Sequence, residues 1–364
     1  AAGDASSGAV TALEHGKTQI TAKIDGKTAQ YSLKVRNGNY GGGDTMLCFA
    51  LSNFAYQTGS AAFKDKTVSD VTDMIYDHSG AMWSDKKLTE AQWMDDVAGD
   101  WKIVDTKWGK PGFFAVAFES PDGNERIIAY RGTASAGGGA TDLAFAVSNA
   151  LNDQFDDALI FYYQQKASGK RVRVTGHSLG GALAAAVSML TGAEAVAVNG
   201  ASGLIIDDVF KKYPDEMSDN FTGVDGWKFS NHMTESTGTW ASKVNEFITR
   251  PNFDTYNTYI YPAGQNYQGS YGEHDVGSIV NYNNATKQFG LGEPAQVGRA
   301  DSIKRISSDK VKTFIGQQDQ TWGTTGNDYI DDSGNNVKTT VYAGNGDDNV
   351  RTGWRSDTIY GGAG

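Results

Sequence analysis

Cysteine is almost absent from this chain of 364 residues, which contains only Cys48. A single thiol excludes an internal disulfide and a zinc site built from four thiolates. Cys48 lies in the apolar stretch TMLCFALSNFAY, whose pattern predicts a helix packed into a core. We therefore expect a buried, unreactive thiol, and the cysteine count does not indicate a redox compartment.

Clustered positive charge is also missing. The chain has 32 Lys and Arg against 43 Asp and Glu, for a net charge of −11, and its basic residues are scattered. Nucleic-acid binding depends on clustered Lys and Arg that contact phosphates. We therefore expect no nucleic-acid partner, and the acidic excess is typical of solubility or of cation binding.

The sequence has no segment typical of a membrane span or of a signal peptide. Its longest uncharged stretch, residues 174–193, contains Gly-His-Ser and a glycine pair, whereas a spanning helix needs about 20 predominantly apolar residues. The first ten residues, AAGDASSGAV, have neither a basic start nor an apolar run. We expect no transmembrane segment and a signal peptide that is absent or already removed.

The sequence alternates between strand and helix patterns. A hairpin is predicted around Asp25-Gly26, a dipeptide that favours a tight turn. The further elements predicted are helices in 48–63, 88–101, 153–166 and 178–190, and strands in 113–120, 126–132, 171–174, 193–200 and 243–250, with an irregular region in 201–242. This alternation predicts an α/β protein whose mostly parallel sheet is covered on both faces.

One strand-to-helix junction carries chemistry. The stretch RVRVTGHSLGGALAAAVSML, residues 171–190, places Ser178 between Gly176 and Gly180. A serine on such a sharp turn needs glycines two positions away on each side, since a Cβ there would collide across the turn. The alternative is a junction that merely contains a serine, but the motif in this setting favours a nucleophile.

A serine nucleophile needs a base to take its proton. Five histidines are present, and the order serine, acid, histidine leaves His232 and His274 as candidates, because the His177 side chain should point away from the serine. Asp254 follows the predicted strand 243–250 and precedes His274, which gives Ser178, Asp254 and His274 in the required order. A turn-capping role is the alternative for Asp254.

The second candidate base, His232, would need an acid from a region without a clear strand pattern. We expect it to be a surface histidine. The carboxylates available to it are Asp207, Asp208, Asp219 and Asp225. The surrounding stretch, residues 203–240, is rich in aromatic residues and methionine, so it is a candidate lid, although such residues more often belong to a core.

The tetrahedral intermediate of acyl transfer also needs hydrogen-bond donors for its oxyanion. Strand 126–132 ends at Arg131-Gly132 and continues into a glycine-rich loop, so the next residue, Thr133, is placed to offer its N–H. Leu179, the residue after the nucleophile, offers a second N–H at the start of its helix.

The composition changes after about residue 317, where Gly, Asp and Asn dominate and helical periodicity ends. We therefore predict three units: an N-terminal hairpin extension in residues 1–44, an α/β domain in 45–316 and a separate unit in 317–364.

With these residues in place, residues 45–280 resemble the class 3 lipases of the α/β-hydrolase superfamily. The motifs that carry the resemblance are YRGTAS, the TDL that follows, VTGHSLGGALA, and an Asp and a His downstream. The resemblance implies an α/β-hydrolase fold and hydrolysis of acyl esters of triacylglycerols or phospholipids at a lipid interface. It assigns Ser178, Asp254 and His274 as the triad, and Thr133 with Leu179 as the oxyanion hole.

Arg171 and Arg173 depart from a strand that is usually apolar, so we expect one end of this strand to reach solvent.

The C-terminal unit resembles the glycine-rich nonapeptide repeats of type I secreted (RTX) proteins. The segments that carry the resemblance are GTTGNDYID, AGNGDDNVR and TGWRSDTIY, the last with Arg355 in place of a glycine. It implies a parallel β-roll that binds structural Ca²⁺ with hard oxygen ligands and that holds the apolar residue of each repeat inward. The implied calcium-site residues are Gly326, Asp328, Gly344, Gly346, Asp348 and Asp357.

The two resemblances together imply a secreted, extracellular monomer that acts on lipid and is exported by a type I secretion machinery. Two other functions stay open. The chain could be a calcium-stabilised binding or adhesion module with a decayed hydrolase domain. The same triad could also serve a peptidase or a thioesterase, because a fold does not determine the substrate.

Overall fold

The computed structural model describes the chain in separate stretches of sequence. The described residues are 16–24, 27–35, 43–56, 63–77, 93–132, 154–201, 228–234, 257–261, 280–283, 288–291, 295–297, 312–313, 320–322, 327, 329–331, 338–344 and 346–362.

Five helices and twelve strands are described up to residue 297. The helices are α1 (Gly43–Phe54), α2 (Val68–Asp77), α3 (93–98), α4 (154–166) and α5 (Leu179–Thr191). The strands are β1 (Gly16–Ile24), β2 (Lys27–Val35), β3 (Lys102–Trp108), β4 (Phe114–Glu119), β5 (Glu125–Tyr130), β6 (Arg171–His177), β7 (Ala195–Val198), β8 (Phe229–Thr234), β9 (Asn257–Tyr261), β10 (Val280–Asn283), β11 (Gln288–Leu291) and β12 (Ala295–Val297).

The central sheet has eight strands in the order β12-β9-β8-β7-β6-β5-β4-β3. Neighbouring strands from β5 to β9 run parallel, whereas β3, β4 and β12 pair antiparallel at the two edges. The expectation of a mostly parallel sheet is therefore confirmed. Since carboxyl ends of parallel strands share one edge, the residues after β5, β6, β7 and β8 lie at a common edge, called here the upper edge.

Helices cover both faces of the sheet. On one face, the alanine-rich α5 and Phe155 and Phe161 of α4 pack against alternate residues of β4, β5 and β6. On the other face, α1 and α3 pack against the intervening residues, such as Phe114 and Ile127. Alternation along each strand therefore feeds two separate cores, as expected for a sheet buried on both sides.

The single thiol is part of the second core. Cys48 of α1 is fully buried, and burial raises its pKa to about 12. The thiolate is therefore not populated at neutral pH, which confirms the expectation of a buried, unreactive cysteine.

Several strands were not anticipated: β9 to β12 have no counterpart among the predicted elements, and the same is true of β3 and β8. β3 lies in a segment for which no element was predicted, and β8 lies inside the stretch predicted to be irregular. Phe229 and Met233, counted in the candidate lid, are core residues of β8 with 1% and 4% exposure. The β8 sequence FSNHMT has no apolar run. Its polar side chains can be buried because polar partners, described below, form hydrogen bonds with them.

The two arginines of β6 differ in environment. The Arg171 side chain is 57% exposed, which agrees with an end that reaches solvent, whereas the Arg173 side chain is only 2% exposed. Arg173 donates from Nε to Glu125 at 2.6 Å and from Nη2 to the second carboxylate oxygen at 2.9 Å. A bidentate ion pair with Glu125 therefore offsets the burial of the Arg173 guanidinium.

The described C-terminal strands form two parallel sheets. The strands are β13 (Lys312–Thr313), β14 (Gln320–Trp322), β15 (Tyr329–Asp331), β16 (Thr340–Tyr342), β17 (Asn349–Arg351) and β18 (Thr358–Tyr360), in the orders β13-β15-β17 and β14-β16-β18. Ile330, Val341 and Ala343 are buried between them. Ile359, paired with Val341, is 48% exposed because β18 is the edge strand among those described.

At the opposite end of the chain, β1 and β2 pair antiparallel, with Ile24 opposite Lys27. None of the helices among the described residues has the length and apolar character needed to cross a bilayer.

Candidate active site

Ser178 occupies the turn between β6 and α5, with φ 56° and ψ −124°. Such a backbone conformation is strained for any residue with a Cβ and persists only where the surroundings enforce it. Ser178 is 3% exposed, and its hydroxyl does not cap α5. The side chain is therefore not used to stabilise the helix that it precedes, and the strain points to a functional role.

Glycines enforce this turn through close backbone contacts. A Cβ on Gly176 would meet the backbone of Gly180 and lie 2.7 Å from the nitrogen of Gly181. A Cβ on Gly180 would meet the end of β5, 2.7 Å from the carbonyl carbon of Tyr130. These are the collisions expected from the motif, so α5 starts tightly against two strands.

The end of β5 passes directly beside the serine. A Cβ on Gly132 would lie 3.2 Å from the Cβ of Ser178 and 2.6 Å from the carbonyl oxygen of His177. The chain at Gly132, after β5, therefore lies next to the serine. Thr133 itself lies outside the described residues.

Leu179, the other predicted oxyanion donor, is the first residue of α5. It is buried, and its N–H makes no hydrogen bond to another described residue. The first N–H groups of a helix have no partner within the helix and carry a partial positive charge. The Leu179 N–H is thus available to an oxyanion.

Sequence reasoning missed Tyr56, which follows α1. Its hydroxyl lies 2.8 Å from Nδ1 of His177 and donates to the His177 carbonyl oxygen at 3.4 Å. The two rings meet edge to face with centroids 5.5 Å apart. Tyr56 therefore braces the turn from the α1 side, and no local motif around it could have revealed a contact so distant in sequence.

Polar residues tie the upper ends of β7 and β8 together. Asn199 accepts the N–H of Thr234 at 3.0 Å, and Asn231 accepts the N–H of Gly200 at 3.1 Å. The N–H of Ala201 donates to the Ser178 carbonyl oxygen at 2.9 Å. The segment after β7 is thus fixed against the serine turn.

His232 is not the surface residue expected from the sequence. It lies on β8 with 4% exposure, 5.3 Å from the ring of Phe49, and its Nε2 lies 3.1 Å from the hydroxyl oxygen of Ser230. Burial lowers its pKa to about 3, so it is neutral at physiological pH. The surface prediction failed because β8, a central strand, was not recognised.

The remaining triad predictions, Asp254 and His274, lie outside the described residues. The nearest described strand after Asp254 is β9, which begins at Asn257. β8, in contrast, reaches the upper edge at Thr234, and the next residue in the sequence is Glu235. The described part of the chain thus brings together Ser178, Leu179 and Gly132 after the end of β5.

The predicted calcium residues are described in part. Gly344 and Gly346 have φ of 101° and 119°, and Asp357 accepts the Thr339 N–H at 2.9 Å through Oδ1. Asp348 is half-buried, whereas Asp328 and Gly326 lie outside the described residues. Within the described ranges, no three His, Cys, Asp or Glu residues cluster as a metal site.

Residues 67–237 match a family model described as a Tle-like phospholipase domain. This match supports a lipase-like or phospholipase-like hydrolase of carboxylic esters. It spans β3 to β8, and so includes Ser178 with the strands on both sides of it. A comparison with curated proteins found no match.

Solved structures similar to this chain include three fungal lipases. Lipase II from Rhizopus niveus is 14% identical, and the match covers 64% of this chain and 82% of that protein with a TM-score of 0.33. A triacylglycerol lipase from Penicillium expansum is 14% identical, with 64% of this chain and 80% of that protein covered and a TM-score of 0.33. The Lip2 lipase from Yarrowia lipolytica is 11% identical, with 63% of this chain and 81% of that protein covered and a TM-score of 0.32.

Proposed function

We propose that this chain is a lipolytic serine hydrolase that cleaves acyl esters of glycerolipids, with phospholipids the first class to test and triacylglycerols the second. The observation that carries the proposal is the strained Ser178, held by glycine contacts at the upper edge. The domain match over residues 67–237 supports the phospholipid class.

In this proposal Ser178 attacks the acyl carbonyl carbon while His274 takes the hydroxyl proton, and Asp254 orients the imidazole. The N–H groups of Leu179 and Thr133 stabilise the oxyanion. The intermediate then collapses, the C–O bond of the ester breaks, and the leaving alcohol takes the proton from His274. Water attacks the acyl-enzyme by the reverse proton path and releases the fatty acid.

A covalent probe tests the nucleophile. A long-chain alkyl phosphonate should label the wild type once, at Ser178, with loss of its leaving group. Ser178→Ala should remove the label, whereas Ser188→Ala should keep it, because Ser188 is buried within α5 and donates to the Ala193 carbonyl oxygen. A wild type that stays unlabelled would favour the binding-module function, and labelling with turnover of peptides but not lipids would favour a peptidase.

The triad partners have their own test. His274→Ala and Asp254→Asn should each lower kcat by about 10⁴ on a soluble short-chain ester, without loss of folding. Glu235→Gln is the matched comparison, because Glu235 follows β8 at the upper edge. If Glu235→Gln loses activity and Asp254→Asn keeps it, the acid assignment is wrong.

We also propose a structural calcium role for the C-terminal unit. Within the described residues, Oδ2 of Asp357 is buried without a hydrogen-bond partner, and a Cβ on Gly362 would lie 2.7 Å from the carbonyl carbon of Gly344. A buried carboxylate oxygen and tight glycine turns suit a hard cation. Gly344, Gly346, Asp348 and Asp357, with Gly326 and Asp328, would hold Ca²⁺, which would stabilise the fold and take no part in the chemistry.

Extracellular location, export by a type I machinery and a monomeric state belong to the same proposal. The support is the repeat pattern of residues 323–364 together with the two parallel C-terminal sheets. Millimolar extracellular calcium would fill sites that are too weak to fill in a cytosol.

A further inference from the structure

The turn between β3 and β4, residues 107–112, lies at the same edge of the sheet as the serine. Trp108 pairs with Phe114, the Arg131 N–H donates to the Phe114 carbonyl oxygen at 2.9 Å, and Tyr130 pairs with Gly176. Trp108 is thus level with the last residues of β6. It lies three strands away, or about 14 Å at the usual spacing between strands.

Trp108 is exposed and yet held in place. Its side chain is the only large apolar one in the β3–β6 strands described with more than a third of its surface exposed, at 55%. Its ring lies 4.5 Å from that of Phe114, and the guanidinium of Arg131 sits 5.1 Å from the Trp108 ring centroid. Cation–π and ring contacts of this kind fix the orientation of an exposed tryptophan.

The same turn carries two lysines. Lys107 and Lys110 flank Trp108, and neither ammonium pairs with a carboxylate among the described residues. The nearby carboxylate of Asp157 accepts the backbone N–H of Lys110 at 2.7 Å. At the lower edge, in contrast, Arg171 and Lys170 are each paired with glutamates.

We propose that residues 107–112 dock the enzyme onto a phospholipid surface with anionic headgroups, so that the upper edge faces the lipid. This inference rests on the proposed function, since it supplies the surface from which Ser178 would draw its substrate. Tryptophan prefers the boundary between headgroups and acyl chains, and lysines beside it attract anionic lipid. In a chain of net charge −11, a local cationic turn also orients the approach to such a surface.

Vesicle co-sedimentation tests the docking turn in full-length Ser178→Ala protein, so that lipid is not consumed. One set of vesicles contains phosphatidylcholine alone, and the other contains phosphatidylcholine with about 30 mol% phosphatidylglycerol. We expect Lys107→Gln with Lys110→Gln to lower the partition coefficient on anionic vesicles about 30-fold and to change it little on neutral ones. Trp108→Ala should lower binding about tenfold on both.

Trp354→Ala is the matched control, because Trp354 is 98% exposed on the C-terminal unit and should leave binding unchanged. The lysine double variant retains the Trp108 contacts. It therefore still measures the contribution of the turn to vesicle binding if Trp108→Ala disturbs the fold. Binding of the lysine variant equal to that of its parent would overturn the proposal, as would an equal loss for Trp354→Ala.

Hydrolysis separates this inference from the proposed function. In the background that retains Ser178, both docking variants should keep wild-type kcat/KM on a soluble short-chain ester and lose activity only on vesicles. If binding to vesicles depends on the turn but no lipid is hydrolysed, the proposed function is wrong and the docking inference stands. If Ser178 is needed for hydrolysis of vesicles but the turn variants hydrolyse them at the wild-type rate, the docking inference is wrong and the proposed function stands.

Discussion

At the scale of single residues, the serine turn depends on side chains that are absent. Gly180 sits where a Cβ would press on the backbone of Tyr130 and Arg131, and backbone cannot move aside as a flexible side chain can. Gly180→Ala should therefore displace the start of α5, destabilise the protein by about 3 kcal/mol and lower kcat/KM at least about tenfold. Urea unfolding and short-chain ester hydrolysis measure the two effects.

Gly169→Ala is the control for this prediction. Gly169 has φ 76° but no atom within 4 Å of an added Cβ, so only the cost of a left-handed residue, about 1 kcal/mol, should appear. Activity should stay at the wild-type level. Equal activity losses in the two variants would contradict the role given to the Gly180 contact.

The buried His232 links stability to pH. Its pKa is lowered by burial to about 3, so between about pH 3 and pH 6.5 the unfolded chain binds a proton that the folded chain does not. Stability should fall as pH drops through this window, by about 1.4 kcal/mol per pH unit from this residue. His232→Phe, which preserves an aromatic ring beside Phe49, should flatten the pH dependence of the unfolding free energy.

Ser230→Ala removes the hydroxyl near His232 but leaves the imidazole to titrate. It should therefore retain the wild-type slope while shifting the whole curve. Parallel curves for wild type and His232→Phe would show that His232 is not the source of the slope.

At the scale of elements, β5 and β6 are joined at their lower ends by a buried ion pair. Burial alone would lower the pKa of Arg173, but the hydrogen bonds and charge of Glu125 outweigh burial and raise the pKa. Arg173→Met should cost about 3 kcal/mol, because the Glu125 carboxylate, itself largely buried, would lose its bidentate partner and keep only the exposed Arg171. The urea midpoint measures this loss.

Arg171→Met is the matched control on the same strand. The Arg171 side chain is 57% exposed, and exposed ion pairs contribute about 1 kcal/mol or less. A similar loss in the two variants would mean that burial does not determine the strength of the Arg173 pair.

The elements that carry local patterns could be predicted, and those that depend on distant partners could not. The β6–turn–α5 unit is encoded within twenty residues around Ser178, so its strand, turn and helix were all recognised. β8 was missed because its buried Asn231, His232 and Thr234 are polar. Their burial is tolerated because hydrogen bonds link them to the segment after β7, which includes Asn199. Tyr56 was missed for the same reason.

At the scale of the whole molecule, one residue of the C-terminal sheets contacts the core of the α/β sheet. Tyr360 of β18 packs against the core that includes α5. Calcium bound in the C-terminal unit should therefore stabilise the chain, by about 2.7 kcal/mol at a concentration of 100 times Kd. Calorimetry in calcium and in chelator should show this difference in unfolding free energy. The rate of hydrolysis of a soluble ester at about 25 °C should not change.

Asp357→Asn should remove most of the calcium shift, since its buried Oδ2 lacks a hydrogen-bond partner among the described residues. Asp347→Asn is the control, because Asp347 is exposed and donates its N–H to Asn327. An unchanged calcium shift in Asp357→Asn would contradict the proposed ligand set.

The most direct test of the central claim is the rate of fatty-acid release from diacyl phospholipid vesicles by wild type and by Ser178→Ala. If Ser178 is the nucleophile of a lipolytic hydrolase, the wild type should release fatty acid, and the variant should lose at least about 10³-fold of that rate while its unfolding midpoint stays unchanged. Release that survives in folded Ser178→Ala, or no release by the wild type from either phospholipid or triacylglycerol, would contradict the claim.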